Sequence, residues 1–204
     1  MRVAVVDYGV GNIFSVISAL SHLKIDFEVD LDGTKINKSD VVLVPGVAAF
    51  GLGMQNISES GQRNSIQKHF ESGNPLIGLC LGAQMFLESS EESEGVEGLS
   101  FIPGLVKKLD RNKCAVPHQG WAKVKFNERT KKSLSLEDSY FYFSHGYRME
   151  VEKADSHLAE SAHGLERILA VYKVDNVLGV QFHPERSGET GLKFLSEILS
   201  TDIV

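Results

Sequence analysis

Leu76-Ile77-Gly78-Leu79-Cys80-Leu81-Gly82 is the stretch of this 204-residue sequence that decides the fold. Its first four residues form an apolar run that predicts a buried strand, and the residues after Cys80 predict a helix from about Leu81 to Leu87. Gly78 and Gly82 lie two positions either side of Cys80, which is typical of a strand-to-helix turn so sharp that larger flanking side chains would clash. The stretch therefore predicts a nucleophile elbow within an α/β fold.

Strands and helices alternate through the first half of the chain. Five apolar residues fall on one face of a predicted helix: Ile13, Val16, Ile17, Leu20 and Leu23. Short apolar runs predict strands at Val3–Asp7, Phe27–Leu31, Val41–Val44 and Leu76–Leu79. Alternation of this kind indicates parallel strands joined by helical crossovers. We expect an open, mostly parallel, doubly wound α/β sheet with helices on both faces.

The second half of the chain, from Leu105 onward, is dominated by strand patterns. These lie at Ala122–Phe126, Tyr140–Phe143, Ile168–Tyr172 and Val177–Phe182. Few helical patterns separate them, so we expect added antiparallel strands in this half. Ser187–Leu199 predicts a closing amphipathic helix. Without repeats or linkers, the chain is predicted to be a single domain over residues 1–204.

Composition excludes several classes of protein. A net charge of −6 without a long basic run argues against a nucleic-acid binder. No apolar stretch approaches the roughly 20 residues that span a bilayer, and Met1-Arg2 leads into a strand rather than a signal peptide, so we predict a cytoplasmic protein without a membrane partner. The two cysteines are too few for a disulfide framework, and neither has metal-ligand spacing. We therefore predict no metal.

A glycine-rich turn after the first strand suggests a cofactor site that the sequence does not complete. Gly9-Val10-Gly11, with Asp30 near the end of the next strand, matches part of a dinucleotide-binding fingerprint. Phe14 occupies the position of the third glycine, where a large side chain would prevent close packing of helix on strand. We therefore predict no cofactor.

Two cysteines and seven histidines offer candidate catalytic groups. At a helix start the helix dipole favours a thiolate at Cys80, although a small buried hydrophobe is the alternative. Cys114 lies in a loop without elbow glycines and is predicted to be unreactive.

His183-Pro184-Glu185 follows a buried strand and could supply a base with a carboxylate that orients it. The tripeptide alone is a weak signal, but together with Cys80 it predicts a Cys-His-Glu triad. Four histidines lack such a setting and are interpreted as ordinary surface residues: His22, His69, His157 and His163.

The motifs taken together resemble those of the class I glutamine amidotransferases, and within them the glutaminase subunits of imidazole glycerol phosphate synthases. The similarity covers essentially the whole chain. It rests on these motifs: Asp7 to Asn12, Pro45-Gly46-Val47, Gly78 to Gln84, Pro117 to Trp121, Tyr140 to Tyr147 and Gly179 to Glu185.

The resemblance implies that Cys80 attacks the glutamine side-chain amide, His183 carries the proton and Glu185 orients His183. It implies an oxyanion hole formed by backbone groups at Gly46, Val47, Ala48 and Leu81. It also implies a glutamine site formed by Gln84, Glu92, His145, Gly146 and Tyr147. For Glu92 the alternative is a solvated acidic helix end.

The resemblance further implies a heterodimer with a synthase or cyclase subunit, a (βα)8 barrel, that uses the ammonia in histidine biosynthesis. The implied interface residues are Asn12, His118, Trp121 and Arg186, with core packing as the alternative for Trp121. Ala48, Ala122 and Arg186 depart from the usual pattern, and Ala48 in particular could hinder a peptide flip that builds the oxyanion hole.

These departures leave the partner open, and the alternative is a paralogous subunit that supplies ammonia for amidino-sugar synthesis in cell-surface polysaccharides. Two further alternatives do not depend on the departures: a free-standing Cys hydrolase and a non-catalytic binding subunit.

Overall fold

The strand that leads into the elbow lies in the middle of a large sheet. The computed structural model describes residues 1–153 and 156–200, so the predicted domain of residues 1–204 extends beyond it at 154–155 and 201–204. The strands of the first half are β1 (Val3–Val6), β2 (Phe27–Asp30), β3 (Val41–Val44), β4 (Leu76–Leu79) and β5 (Ser89–Ser90). β4 pairs in parallel with β3 on one side, and on its other side with the strand Val177–Val180 from the second half of the chain.

The second half contributes seven more strands among the described residues. They are β6 (Gly104–Lys108), β7 (His118–Phe126), β8 (Ser139–His145), β9 (Tyr147–Val151), β10 (His157–His163), β11 (Glu166–Val174) and β12 (Val177–Val180). The described strands form a nine-stranded sheet in the order β2-β1-β3-β4-β12-β11-β10-β7-β8, and a three-stranded sheet in the order β5-β6-β9. Pairing is parallel from β2 to β12 and antiparallel from β12 to β8. The predicted mostly parallel sheet with added antiparallel strands is confirmed.

Helices cover both faces of the parallel part. They are α1 (Ile13–His22), α2 (Phe50–Glu59), α3 (Gln62–Glu71), α4 (Leu81–Met85), α5 (Glu128–Leu134) and α6 (Gly188–Ser200). Alternate residues of β1 divide between two core clusters, because successive side chains of a strand point to opposite faces. Val3 and Val5 share a cluster with residues of α1 and α6, whereas Ala4 and Val6 share one with residues of α2, α3 and α4. Among the described residues, no helix combines the length and apolar character needed to cross a membrane.

Several elements have no counterpart in the sequence prediction. α2 and α3 were not predicted, and α3 is so polar that few of its side chains, such as Ile66, are buried. α5, β6, β9 and β10 were also not predicted, since their apolar content is low. The helix predicted to reach Leu87 ends at Met85.

Asp30 has a structural role at the end of β2. Its carboxylate is fully buried and accepts hydrogen bonds from the backbone N–H groups of Gly33, Lys35 and Ile36. The side chain of Gln62 donates a fourth bond at 2.8 Å. These contacts satisfy the carboxylate and hold the loop after β2.

Candidate active site

Cys80 sits in a strained turn directly after β4. Its φ of 51° lies in the left-handed region that residues with a side chain rarely adopt, and it caps the start of α4. A Cβ on Gly78 would come within 2.5 Å of the Ala83 backbone nitrogen, and a Cβ on Gly82 would overlap the carbonyl oxygen of Val44. Both glycines are required by the close approach of backbone atoms, as the elbow pattern predicts.

The loop after β3 lies against the elbow, and backbone N–H groups of both segments already donate hydrogen bonds to backbone carbonyls. The Leu81 N–H donates to the Gly46 carbonyl at 3.4 Å, and the Val47 N–H donates to the Val10 carbonyl at 3.2 Å. Tyr8 Oη donates to the Pro45 carbonyl at 2.7 Å. An oxyanion hole built from the Leu81 and Val47 N–H groups therefore requires rotation of the Gly46–Val47 peptide.

Ala48 shows no strain in this conformation. It is not among the residues with positive φ, so the observed backbone does not require a glycine at that position.

His183 and Glu185 form a buried pair at the end of the sheet. His183 Nδ1 lies 2.8 Å from Glu185 Oε1, and Pro184–Arg186 forms the short 3-10 turn that holds them together. A carboxylate oxygen only accepts, so Nδ1 carries the proton and Nε2 is left for another group. Both side chains are at most 3% exposed.

The charge environment makes His183 a strong base. Burial opposes a charge on the ring, but the Cys80 sulfur and the Glu185 carboxylate outweigh it and raise the pKa of His183 to about 10. His183 Nε2 is buried without a hydrogen-bond partner among the described residues, and so is Glu185 Oε2. Proton transfer from Cys80 needs an unoccupied ring nitrogen on a histidine that interacts with the sulfur, and His183 Nε2 meets this requirement. The arrangement can therefore support a thiolate–imidazolium pair.

A cleft of about 230 Å³ opens at Cys80. It is lined by all five predicted glutamine-site residues together with Val47, Ala48 and Leu81 of the predicted oxyanion hole; the lining also includes Ala49 and Ser144, which were not predicted. Ser144 lies within the Tyr140–Tyr147 motif, and its place in that motif was the available signal. The structure thus brings the predicted site residues together around one space.

Glu92 is half-buried at this cleft and not at the solvated helix end considered as its alternative. Its Oε2 accepts from the Phe50 N–H at 2.8 Å, and Ser93 Oγ accepts from the Gly51 N–H at 2.8 Å. These bonds satisfy two of the orphan amides that begin α2. Among the residues that the structure describes, no hydrogen bond is made by Glu92 Oε1, so this oxygen can accept from a cation in the cleft.

Three histidines pack together, and one of them, His145, lines the cleft. His145 Nδ1 donates to the Tyr147 carbonyl at 2.8 Å, and its Nε2 lies 3.1 Å from His118 Nδ1, which must then be the donor. The His118 ring stacks on both Phe143 and His163. Burial lowers the pKa of His118 to about 4 and that of His145 to about 3, with like-charge repulsion among the histidines adding to the effect.

The placement of two histidines corrects the sequence interpretation. His118 was expected at a partner interface, but it is only 3% exposed because its strand directs the ring inward onto Phe143. We therefore leave it out of the interface. His69 was interpreted as a surface residue, but it is buried and its Nε2 lies 2.9 Å from the Pro75 carbonyl.

Gln181 is a site residue that the sequence interpretation missed. It is fully buried, and its Nε2 donates to Cys80 Sγ at 3.7 Å, while its Oε1 accepts from Gln84 Nε2 at 3.1 Å. The residue lies inside the Gly179–Glu185 motif, where a polar side chain between apolar neighbours was the available signal.

An aromatic and cationic surface surrounds Trp121. Trp121 is 57% exposed, so core packing is not its role. The Trp121 and Tyr142 rings are T-shaped with centroids 6.3 Å apart, and the Arg186 guanidinium lies 4.4 Å from the centroid of the Tyr142 ring. Asn12 is half-buried at the start of α1, where its side chain donates to Ser15 Oγ at 2.8 Å.

Cys114 lies apart from these residues. It is half-buried, its Sγ donates weakly to the Asp110 carbonyl at 3.6 Å, and burial together with the Glu166 carboxylate raises the pKa of its thiol. A thiol held protonated is a poor nucleophile, in keeping with the prediction that it is unreactive.

Known protein sequences resemble this chain over nearly its full length. The family model described as "Glutamine amidotransferase class-I" matches residues 4–199. Imidazole glycerol phosphate synthase subunit HisH of Methanopyrus kandleri is 40% identical over 202 residues, which is 98% of each chain. The protein of the same name from Methanothermobacter thermautotrophicus is 38% identical over 193 residues and 95% of each chain. The one from Geobacillus sp. is 34% identical over 203 residues, covering 97% of this chain and 96% of the relative.

Solved structures share the fold at lower sequence identity. A crystal structure of a glutamine amidotransferase superimposes with a TM-score of 0.74 at 17% identity, covering 97% of this chain and 99% of that chain. The structure of PurLQS from Thermotoga maritima gives a TM-score of 0.71 at 21% identity, covering 98% of this chain and 97% of that chain. At these identities the likeness concerns the fold alone.

Proposed function

This chain belongs to the class I glutamine amidotransferases, and on that premise we propose that it is the glutaminase subunit of an imidazole glycerol phosphate synthase. It hydrolyses L-glutamine to glutamate and ammonia, and a synthase partner consumes the ammonia in histidine biosynthesis. The observation that carries the proposal is the buried His183–Glu185 pair, whose histidine interacts with Cys80 at the elbow, where Cys80 lines the cleft.

The proposed reaction has two halves. The Cys80 thiolate attacks the side-chain amide carbon of glutamine, and the tetrahedral intermediate collapses as His183 gives its proton to the departing ammonia. The product is a γ-glutamyl thioester. His183 then removes a proton from water, the hydroxide attacks the thioester carbon, and Cys80 leaves as the thiolate with release of glutamate. Glu185 keeps His183 in the tautomer that serves both halves.

Charge on the intermediate is stabilised by backbone amides of the elbow and of the loop after β3. The Leu81 N–H and, after rotation of the Gly46–Val47 peptide, the Val47 N–H become the oxyanion donors. In the observed state these groups are held by Gly46 and Val10. Activity therefore depends on breaking two weak backbone hydrogen bonds, with Ala48 as the next residue of the moving loop.

The cleft supplies groups for both ends of glutamine. Glu92 carries a carboxylate oxygen for the α-ammonium group, and Gln84 offers its amide. His145, Gly146 and Tyr147 also line the cleft, and the Tyr147 carbonyl accepts from Gln84 Nε2 at 3.0 Å.

The partner is proposed to be a (βα)8-barrel synthase that forms a heterodimer with this chain. Trp121, Arg186 and Asn12 form the contact, and exposed aromatic and arginine side chains are the residues that usually anchor interfaces.

The test is glutamate release from glutamine by the purified chain, alone and with a candidate imidazole glycerol phosphate synthase subunit. We expect release to rise strongly with the partner and its ligand. Cys80→Ala should abolish glutamine-dependent synthesis and leave synthesis from ammonium salts intact, because the ammonia is used on the other chain. Loss of ammonium-driven synthesis as well would contradict this division of labour.

The same assay separates the rival functions. Activation only by an amidino-sugar synthase would assign the chain to that pathway, which the departures at Ala48, Ala122 and Arg186 left open. Strong hydrolysis without a partner would indicate a free-standing hydrolase, whereas a stable complex without hydrolysis would indicate a binding subunit.

A further inference from the structure

Gln181 has a buried side-chain amide next to Cys80. The proposed mechanism does not use this amide. It follows β12 directly, where its backbone N–H donates to the Ala170 carbonyl at 2.9 Å. The side chain is fully buried. Burying an amide is unfavourable unless its polar atoms are bonded, so the contacts of Gln181 are the reason that the site tolerates it.

The side chain of Gln181 bridges the nucleophile and the glutamine cleft. Its Nε2 donates to Cys80 Sγ at 3.7 Å, and its Oε1 accepts from Gln84 Nε2 at 3.1 Å. Gln84 Nε2 also donates to the Tyr147 carbonyl at 3.0 Å. Both N–H groups of Gln84 are thereby used.

This pattern determines which atom Gln84 shows to a substrate. Reversing the Gln84 amide would place its oxygen against two other acceptor oxygens, those of Gln181 and Tyr147, so the observed orientation is enforced. Because Gln84 lines the cleft and both of its N–H groups are used, we infer that Oε1 is the amide atom that remains for a substrate, and it can only accept a hydrogen bond.

We propose that Gln181 is a positioning residue that stabilises the Cys80 thiolate through its N–H and orients Gln84 to accept an N–H of bound glutamine. The inference rests on the proposed glutaminase function. One side chain would thus couple the state of the sulfur to recognition of the substrate. A donor to a thiolate favours the charged form, whereas the neutral sulfur of a thioester is a weak acceptor and releases that donor.

The test applies the same chemical change at three positions: Gln181→Met, Gln84→Met and Gln55→Met. Methionine has a similar length and cannot make either amide contact. Gln55 is exposed on α2 and serves as the control. Two readouts are measured: the pH dependence of Cys80 alkylation by iodoacetamide in the free chain, and kcat and KM for glutamine in the complex.

Gln181→Met should raise the pH midpoint of alkylation by about 1 unit, lower kcat roughly 10-fold and raise KM roughly 10-fold. Gln84→Met should raise KM by a similar factor and move the midpoint by less than half as much. Gln55→Met should change neither. This split between readouts is not expected of a side chain that only fills space.

An unchanged alkylation midpoint in a folded Gln181→Met protein would overturn the proposal, as would a KM equal to that of the wild type. If that variant does not fold, Gln181→Glu is measured instead, because it keeps the shape of the side chain. Its negative charge beside the thiolate should raise the alkylation midpoint above that of the wild type by more than is expected for Gln181→Met. A midpoint equal to or below that of the wild type would then refute the role. Alkylation requires no turnover, so a wild-type chain inactive with every partner would defeat the proposed function while the midpoint still decides the action of Gln181 on the sulfur.

Discussion

Replacing Glu185 with Gln tests whether the buried carboxylate controls the base. Glu185 Oε1 accepts from His183 Nδ1 at 2.8 Å, and its side chain is 3% exposed, so water cannot substitute for it. A hydrogen bond to a charged group contributes about 1.5–3 kcal/mol, which corresponds to roughly 10- to 100-fold in rate. If the new amide presents its NH₂ to Nδ1, the ring is forced into the wrong tautomer, and the loss can reach about 10⁴-fold.

We therefore expect kcat for glutamine to fall by about 10- to 10⁴-fold, the larger loss applying if the tautomer is reversed. KM should change little, because Glu185 does not line the glutamine cleft. Removing the carboxylate should also lower the pKa of His183, which is now raised in part by Glu185. The assay is glutamate release by the partner complex, together with synthesis driven by ammonium salts.

Glu189→Gln is the matched control, since it makes the same change at an exposed position in the first turn of α6. It should alter kcat by less than about 2-fold, as expected of exposed charges. A Glu185→Gln enzyme within 3-fold of wild type would refute the role of the carboxylate. A parallel loss of ammonium-driven synthesis would show that the change acts on the fold or the complex and not on the base.

Three further predictions concern the interface, the substrate site and the buried histidines. Trp121→Ala should raise the Kd of the partner complex, measured by calorimetry, by at least about 10-fold. The control, Leu31→Ala at an exposed position, should leave the Kd unchanged. A Trp121→Ala protein that binds the partner as tightly as the wild type would remove the interface role. Glu92→Gln should raise KM for glutamine roughly 10-fold with kcat within about 3-fold, and Glu91→Gln, at the exposed neighbouring residue, should leave KM unchanged; a normal KM in Glu92→Gln would exclude contact with the ammonium group. Folding lowers the pKa of His118 to about 4 and that of His145 to about 3, so below about pH 6.5 the unfolded chain binds more protons than the folded one. The free energy of unfolding should therefore fall as pH drops, by about 1.4 kcal/mol per pH unit for each histidine. Denaturant unfolding from pH 7.5 to 4.5 measures this slope, which His118→Asn should flatten and exposed His22→Asn should not; equal slopes in all three proteins would contradict it.

Local features of the chemistry were predictable from the sequence. The elbow around Cys80 could be identified because its two glycines are required by close backbone contacts. Gly78 lies against Ala83, only five positions away, and Gly82 lies against Val44 of the adjacent strand. The His183–Glu185 pair was likewise local, since two residues of separation and one proline confine it to a single turn. The parallel sheet followed from the alternation of strands and helices, which reflects burial of β1, β3 and β4 on both faces.

Features that depend on which face of a strand meets which neighbour were not predictable in this way. His118 was placed at an interface from its motif, but the pairing of β7 with β8 turns its ring onto Phe143. α3 escaped prediction because its polar sequence is held by a few contacts, including those of Gln62 with Asp30, 32 positions earlier.

The sequence by itself determined the parallel core, the cysteine elbow and the His183–Glu185 pair, because each depends on residue type and short spacing. Only the tertiary structure decided that Gln181 touches both the nucleophile and Gln84, a contact that joins residues 97 positions apart. It also decided that Glu92 accepts from the first N–H of α2 beside the cleft, and that the N–H groups of Leu81 and Val47 are held by the carbonyls of Gly46 and Val10. Such contacts arise where separate strands and loops converge, and no local pattern of residues encodes them.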